Sequence, residues 1–218
     1  MARIVFDLDG TLIDSVFDIH EIANDILAEF GVAPITLDQA RDFIGNGVTV
    51  FVERMRAARD IPETEQPRLL AAFMARYHGA VRLTQPYPGV VTMLDALAEA
   101  GHRLGVCTNK PLKPTQSVLA HLALDRFFGT VWGGDSLSVN KPDPAPLHAA
   151  FAALGDGPRV YVGDSDVDAK TARRAEVPFL LFTEGYRKCP VRDMPHDVAF
   201  SDYAALPDLV QRVTEVPT

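Results

Sequence analysis

Ile4-Val5-Phe6-Asp7-Leu8-Asp9-Gly10-Thr11 is a short apolar run that stops on two acids, a glycine and a hydroxyl. Three apolar residues without polar alternation fit a strand buried on both faces. The same pattern recurs at Leu104-Gly105-Val106-Cys107, Val131-Trp132, Val160-Tyr161-Val162 and Phe179-Leu180-Leu181-Phe182, and Val198-Ala199-Phe200 predicts a short edge strand. Between the last four principal runs lie helical patterns over 112–122, 144–154 and 166–175. Strand alternating with helix predicts an α/β fold, a doubly wound (Rossmann-like) parallel sheet with right-handed crossovers.

Residues 16–80 break that rhythm. Val16, Ile19, Ile22, Ala23, Ile26, Leu27 and Phe30 repeat at three- and four-residue steps and are followed by Gly31; further helices are predicted over 37–43, 48–59 and 65–79. Asp14-Ser15 going out and Leu83 to Gly89 coming back have the composition of hinges. The expectation is an all-helical cap domain at 15–84, inserted into a discontinuous α/β core made of 1–14 and 85–218, and standing over the carboxyl edge of the sheet.

The 218 residues, 47% hydrophobic and 23% charged, describe an ordinary folded chain. A net charge of −8 disfavours a general nucleic-acid binder or an anionic membrane surface as partner. Cys107 and Cys189 form no CxxC pair, the N-terminal apolar run is cut by Asp7 too early for a signal peptide, and no stretch is apolar enough to span a bilayer. A cytoplasmic location with reduced thiols is expected; oligomeric state is not legible. The six histidines show no ligand spacing, so any metal must be held by oxygen.

In an open parallel sheet, ligands bind beyond the carboxyl ends of the strands. There the chain places Asp7, Asp9, Gly10 and Thr11 after the first run, Thr108 and Asn109 after the second, and Gly163, Asp164, Ser165, Asp166 and Asp168 after the fourth, with Asn140-Lys141-Pro142-Asp143 ahead of a later helix. Singly, each is a helix cap, a turn or a surface lysine; the conjunction on one rim is what matters. Carboxylates ~4 Å apart repel by about 4 kcal/mol per pair at an effective dielectric near 20. Such crowding calls for a cation, and few oxygen ligands completed by water and a phosphate suit Mg²⁺ better than Ca²⁺. Lys141 adds positive charge, and Thr108 with the Asn109 amide can donate to phosphoryl oxygens. Asp7 then reads as a nucleophile forming an aspartyl-phosphate, and Asp9 as an acid/base kept protonated by the acids around it.

Asp7-Leu8-Asp9-Gly10-Thr11, Thr108-Asn109, Lys141 and Gly163-Asp164-Ser165-Asp166-Val167-Asp168 resemble, in order, the four signature motifs of the haloacid dehalogenase superfamily. The resemblance spans residues 4 to about 183. It implies Asp7 as nucleophile, Asp9 as acid/base, Thr108 and Lys141 on the phosphoryl group, and Mg²⁺ on the Asp7 and Asp164 carboxylates and the Asp9 main-chain carbonyl, with Asp168 behind them. Ile44-Gly45-Asn46-Gly47, Tyr87-Pro88-Gly89-Val90, Thr108-Asn109-Lys110-Pro111 and Lys141-Pro142-Asp143-Pro144 resemble the phosphoglycolate phosphatases within it. A small phosphorylated metabolite is the implied partner. Asn140 departs from that pattern, where a basic residue is expected. The substrate's carboxylate is expected at the amides of Gly45-Asn46-Gly47, ahead of a helix, with Lys110 assisting. Phosphatases of other small sugar phosphates and phosphoglucomutase-type enzymes share these features. A dehalogenase would not need Asp9, and a phospho-acceptor signalling module would not need the cap. The stretch 187–197 reads as a loop without an assigned role.

Overall fold

The computed structural model describes residues 1–215. In chain order the elements are β1 (Arg3–Phe6), β2 (Ile13–Asp14), α1 (Val16–Glu29), α2 (Leu37–Phe43), α3 (Val48–Ala57), α4 (Gln66–Tyr77), β3 (Gln85–Pro86), α5 (Val90–Glu99), β4 (Arg103–Cys107), α6 (Leu112–His121), β5 (Phe128–Trp132), α7 (Ala145–Ala153), β6 (Arg159–Gly163), α8 (Asp166–Ala175), β7 (Phe179–Phe182), β8 (Val198–Phe200) and α9 (Leu206–Glu215).

Six strands form one sheet in the order β5-β4-β1-β6-β7-β8, and every neighbouring pair is parallel. The apolar runs lack polar alternation because helices cover both faces. Ile4, Phe6, Val106, Val162 and Leu180 point to one side, against Leu94 and Leu97 of α5, Val118 of α6 and Val210 of α9. Val5, Tyr161 and Leu181 point to the other, against Leu147 and Phe151 of α7 and Ala169 and Ala172 of α8. From β1 the chain builds outward through β4 to β5, then returns to the opposite side of β1 with β6. The direction of winding therefore reverses between β1 and β6, which opens a crevice beyond their carboxyl ends.

Helices α1 to α4 gather around their own apolar cluster, which includes Ile19, Ile26, Leu27, Val52, Met55, Leu69 and Phe73. Tyr186, from the segment after β7, inserts into this cluster. Their limits fall within a few residues of the sequence reading; α3 stops at Ala57 and α4 at Tyr77, each two residues short. β5 begins three residues before the apolar run read for it, since Gly129 and Thr130 interrupt the hydrophobic signal. Helices α5 and α9 were not among the helical patterns read, nor was the antiparallel pairing of Ile13 with Pro86 and Asp14 with Gln85. No helix among the described residues is long and apolar enough to cross a membrane.

Where the chain returns from the helices to the sheet, Asp18 of α1 is buried and accepts hydrogen bonds from Leu83 N (3.0 Å), Thr84 N (2.7 Å) and Thr84 Oγ1 (2.6 Å). Bonds to a charged acceptor are stronger than neutral ones, and removing the acceptor strands buried donors. Asp18→Ala is expected to cost about 3 kcal/mol, a fall of about 6–12 °C in Tm for a chain of this size, measured by thermal denaturation.

Candidate active site

β1 and β6 deliver the acids. Asp7 N donates to Val162 O at 2.9 Å, so the first residue beyond β1 is still held against β6. One residue beyond β6, Asp164 accepts from Thr11 Oγ1 (2.7 Å) and Tyr186 N (2.6 Å). Asp168 sits one turn into α8, where Ser165 caps the helix and the two residues form a reciprocal capping box. Carboxylate oxygens of Asp7, Asp164 and Asp168 all lie within 4.8 Å of one another, and all three residues are buried. Gly10 turns the chain away with φ +87°; a Cβ there would meet Asp164 Oδ2 at 2.5 Å.

One ammonium meets this cluster. Lys141 Nζ lies 2.9 Å from Asp7 Oδ1, 2.7 Å from Asp168 Oδ1 and 2.9 Å from Tyr161 OH. Tyr161 OH donates to Asp168 Oδ1 at 2.6 Å and Ser165 Oγ to Asp168 Oδ2 at 2.5 Å. Asp168 is therefore fully engaged, and its acidity follows: burial raises its pKa, but the charge of Lys141 and the hydrogen bonds from Lys141, Ser165 and Tyr161 outweigh this and leave it lowered. Lys141 is held in its charged form, burial being overcome by Asp168 and Asp7. Asp7 is pushed up to about 7, by burial first and then by Asp168, with Lys141 offsetting part. Asp164 is raised well above the usual carboxylate range by burial, then by Asp168 and Asp7.

A single lysine thus does not balance three acids. Asp7 Oδ1, although close to the Lys141 ammonium, is a buried oxygen without a hydrogen-bond partner. An orphaned oxygen beside carboxylates of raised proton affinity fits a hard, oxygen-liganded cation, and Asp7 and Asp164 are the acids available to hold it.

Asp9 stands apart from that cluster. The expectation that acids crowd it is corrected: its nearest charged group is a cation, Lys110, with Nζ 3.1 Å from Oδ1, and Ser15 Oγ donates to the same oxygen at 2.6 Å. Lys110 also donates to Tyr77 OH at 2.9 Å, at the end of α4. The ammonium keeps its proton more tightly than an ordinary lysine, since Asp9 and Tyr77 outweigh the burial that opposes charge. Asp7, Asp9, Thr108, Asn109 and Lys110 line a cavity together with Ile19, Ile44, Gly45, Gly47, Val48, Phe51, Phe73 and Tyr77.

Of the remaining residues singled out in the sequence, Thr108 is buried and its Oγ1 accepts from Lys110 N at 3.2 Å. The Asn109 side chain is a tie, donating from Nδ2 to Gly45 O and Lys141 O, both at 3.0 Å. Gly45 and Gly47 reach the cavity, and Gly47 starts α3 with φ +87° and no side-chain cap. Asn46 does not contribute its side chain there, because Oδ1 accepts from Arg54 Nη2 at 3.0 Å. The 187–197 stretch touches the site through Lys188, whose Nζ donates to Ile44 O at 2.9 Å. Tyr77, Tyr161, Tyr186 and Ser15 were missed: Tyr77 and Tyr161 lie within a helix and a strand and read as core, Tyr186 lies in a loop and Ser15 in a hinge, and nothing local marks their hydroxyls. Tyr186 OH donates to Asp14 Oδ1 at 2.6 Å and accepts from Ser15 N (2.9 Å) and Val16 N (3.1 Å), so this residue links Asp164 to the start of α1.

A parallel sheet with buried acids at its switch point is the frame of a ligand-binding α/β protein, and residues 4–182 match the family model of haloacid dehalogenase-like hydrolases. The chain belongs to that family. It is 48% identical over 216 residues to a phosphoglycolate phosphatase of Cereibacter sphaeroides, covering 98% of this chain and 99% of the relative. The phosphoglycolate phosphatase of Rhodobacter capsulatus is 42% identical over 210 residues, covering 95% and 96%. Among solved structures, a predicted phosphoglycolate phosphatase from Haemophilus somnus superposes with a TM-score of 0.89 at 31% identity, over 96% of this chain and 97% of that one.

The raised pKa values have a sign. Between the unfolded carboxylate value near 4 and about 7 the folded chain binds more protons at Asp7 and Asp164, so stability contributed by these groups falls as pH rises through that window. Asp168, whose pKa is lowered, acts only below it. With chelator present, Tm is expected to be lower at pH 8 than at pH 5 relative to an Asp7→Asn, Asp164→Asn variant, and a divalent cation is expected to raise Tm more at pH 8; scanning calorimetry at both pH values checks this.

Proposed function

We propose that the chain is a Mg²⁺-dependent phosphomonoester hydrolase that passes through an aspartyl-phosphate on Asp7, with 2-phosphoglycolate as substrate. The observation that carries this reading is the convergence of Asp7, Asp164 and Asp168 with Lys141 at the β1/β6 crevice. The near full-length likeness to phosphoglycolate phosphatases supports the substrate. In this reading residues 15–84 are a cap that closes over a core of 1–14 and 85–218 to exclude water, and the free thiols Cys107 and Cys189 suit the cytoplasm.

Mg²⁺, held by the Asp7 and Asp164 carboxylates and the Asp9 main-chain carbonyl, supplies positive charge against the acids and the phosphoryl oxygens. Thr108 Oγ1, the Asn109 amide and Lys141 Nζ hold the phosphoryl group. An Asp7 carboxylate oxygen bonds to phosphorus as the ester P–O bond breaks, and the Asp9 carboxyl gives its proton to the leaving alkoxide. Asp9 then takes a proton from water, whose oxygen bonds to phosphorus as the Asp7 O–P bond breaks, releasing phosphate. The free amides at Gly45 to Gly47 and the start of α3 receive the glycolate carboxylate.

Phosphate release from a panel of 2-phosphoglycolate, small sugar phosphates and nucleotides, with Mg²⁺ or chelator, tests this. 2-Phosphoglycolate is expected to give the highest kcat/KM, chelator and Asp7→Asn to abolish turnover, and Asp9→Asn to lower kcat by about 10²–10⁴. Full activity of Asp9→Asn, or turnover indifferent to chelator, would discard the mechanism. Gly47→Val is expected to raise KM for 2-phosphoglycolate far more than for an aryl phosphate; equal effects would remove the carboxylate from α3.

A further inference from the structure

Among the described residues Lys110 is the only side-chain cation lining the cavity, and its side chain is 3% exposed. Its partners there are the Asp9 carboxylate, shared between 3.1 and 3.4 Å, and Tyr77, whose hydroxyl accepts at 2.9 Å and whose ring centroid lies 4.4 Å from Nζ. An ammonium carries three donors. All three reach these partners, so a ligand can reach the ammonium only by displacing one of them. The other buried ammonium nearby, Lys141, lies against Asp7, Asp168 and Tyr161 and in the phosphatase reading serves the phosphoryl group. The cavity is also lined by apolar Ile19, Ile44, Phe51 and Phe73. A substrate bringing an acid group as well as a phosphate into this space adds negative charge where two aspartates already stand. A buried carboxylate must be paired, and among the described residues no side-chain cation other than Lys110 lines the cavity.

We propose that Lys110 is the residue that selects a phosphorylated acid, and that the substrate's carboxylate, while it meets the amides at Gly45 to Gly47 with one oxygen, takes the place of Asp9 on the Lys110 ammonium with the other. Resting on the phosphatase reading above, this assigns two consequences to one displacement. The acid group gains its partner, and Asp9, released from Lys110, is free to turn to the leaving oxygen. A neutral phosphomonoester leaves the Asp9–Lys110 pair intact and is turned over slowly even where it fits. Lys110 does not touch the reacting atoms and acts through Asp9. Tyr77, from the last turn of α4, keeps the ammonium in place throughout the exchange.

The test divides the substrate in two. Methyl phosphate with formate supplies the phosphoester and the carboxylate of 2-phosphoglycolate as separate molecules. With the Mg²⁺-loaded wild-type enzyme, formate is expected to accelerate release of phosphate from methyl phosphate several-fold and saturably, while chloride at equal ionic strength does not. Lys110→Met, which keeps the length of the side chain without its charge, is expected to lower the ratio of kcat/KM for 2-phosphoglycolate over methyl phosphate by about 100-fold and to abolish the response to formate. Tyr77→Phe, which removes only the hydroxyl, is expected to shift the ratio the same way by a smaller factor, so the outcome does not hang on one variant folding. The proposal is overturned if both variants leave the ratio where it was, or if formate activates Lys110→Met as well as wild type. Failure of the phosphatase reading looks different, because wild type then releases phosphate from neither ester.

Discussion

The mutual repulsion of Asp7, Asp164 and Asp168, only partly relieved by Lys141, is the constraint around which the rest of the molecule is arranged. Nothing local in the chain brings these acids together. They meet because β1 and β6 are neighbours and end at the same level, where the winding of the sheet reverses. The surrounding donors then make the crowding tolerable: Thr11 and the Tyr186 amide on Asp164, Ser165 and Tyr161 on Asp168, and the ammonium between Asp168 and Asp7. Each donor is itself fixed by the fold, Tyr161 within β6 and Ser165 at the start of α8.

The second ammonium belongs to a different circuit. Lys110 joins the turn after β4, the Asp9 carboxylate and the end of α4, while Asn109 beside it ties Gly45 to Lys141. Two adjacent residues therefore bind the helical unit to the sheet at the cavity itself. At the outer edge Tyr186 does the same between Asp164 and α1. The helices are consequently held to the sheet by polar contacts at the site, in addition to the paired residues of β2 and β3.

Much of this was legible in the sequence because parallel strands announce themselves. Ile4 to Phe6 and Phe179 to Phe182 are apolar on consecutive residues only because both faces are covered, and the acids that follow Phe6 and Gly163 are then bound to stand at the carboxyl rim. The places of Asp7, Asp9, Thr108 and Asp164 follow in that way, whereas Lys141 precedes a helix and is marked only by its company with the other motifs. What could not be found depends on partners distant in the chain. Asp9 was read from its neighbours in sequence, whereas its charge partner lies 101 residues on. The Asn46 side chain likewise takes its partner from outside its neighbourhood, accepting from Arg54 two turns along α3. The tyrosines look like core residues, and they are core residues; each simply extends a hydroxyl or an amide into the site. The two-residue strands β2 and β3 carry no periodicity to read, and their pairing bridges the whole insert.

Asp168 illustrates how tightly folding and chemistry are interwoven here. The carboxylate that completes the capping box of α8 is the same one that fixes the Lys141 ammonium beside Asp7. A replacement at this position would fray the first turn of a helix and mis-set a cation in the same stroke. Loss of activity in such a variant could not be apportioned to either cause, and the position has little freedom to drift: whatever suits the helix must also suit the lysine.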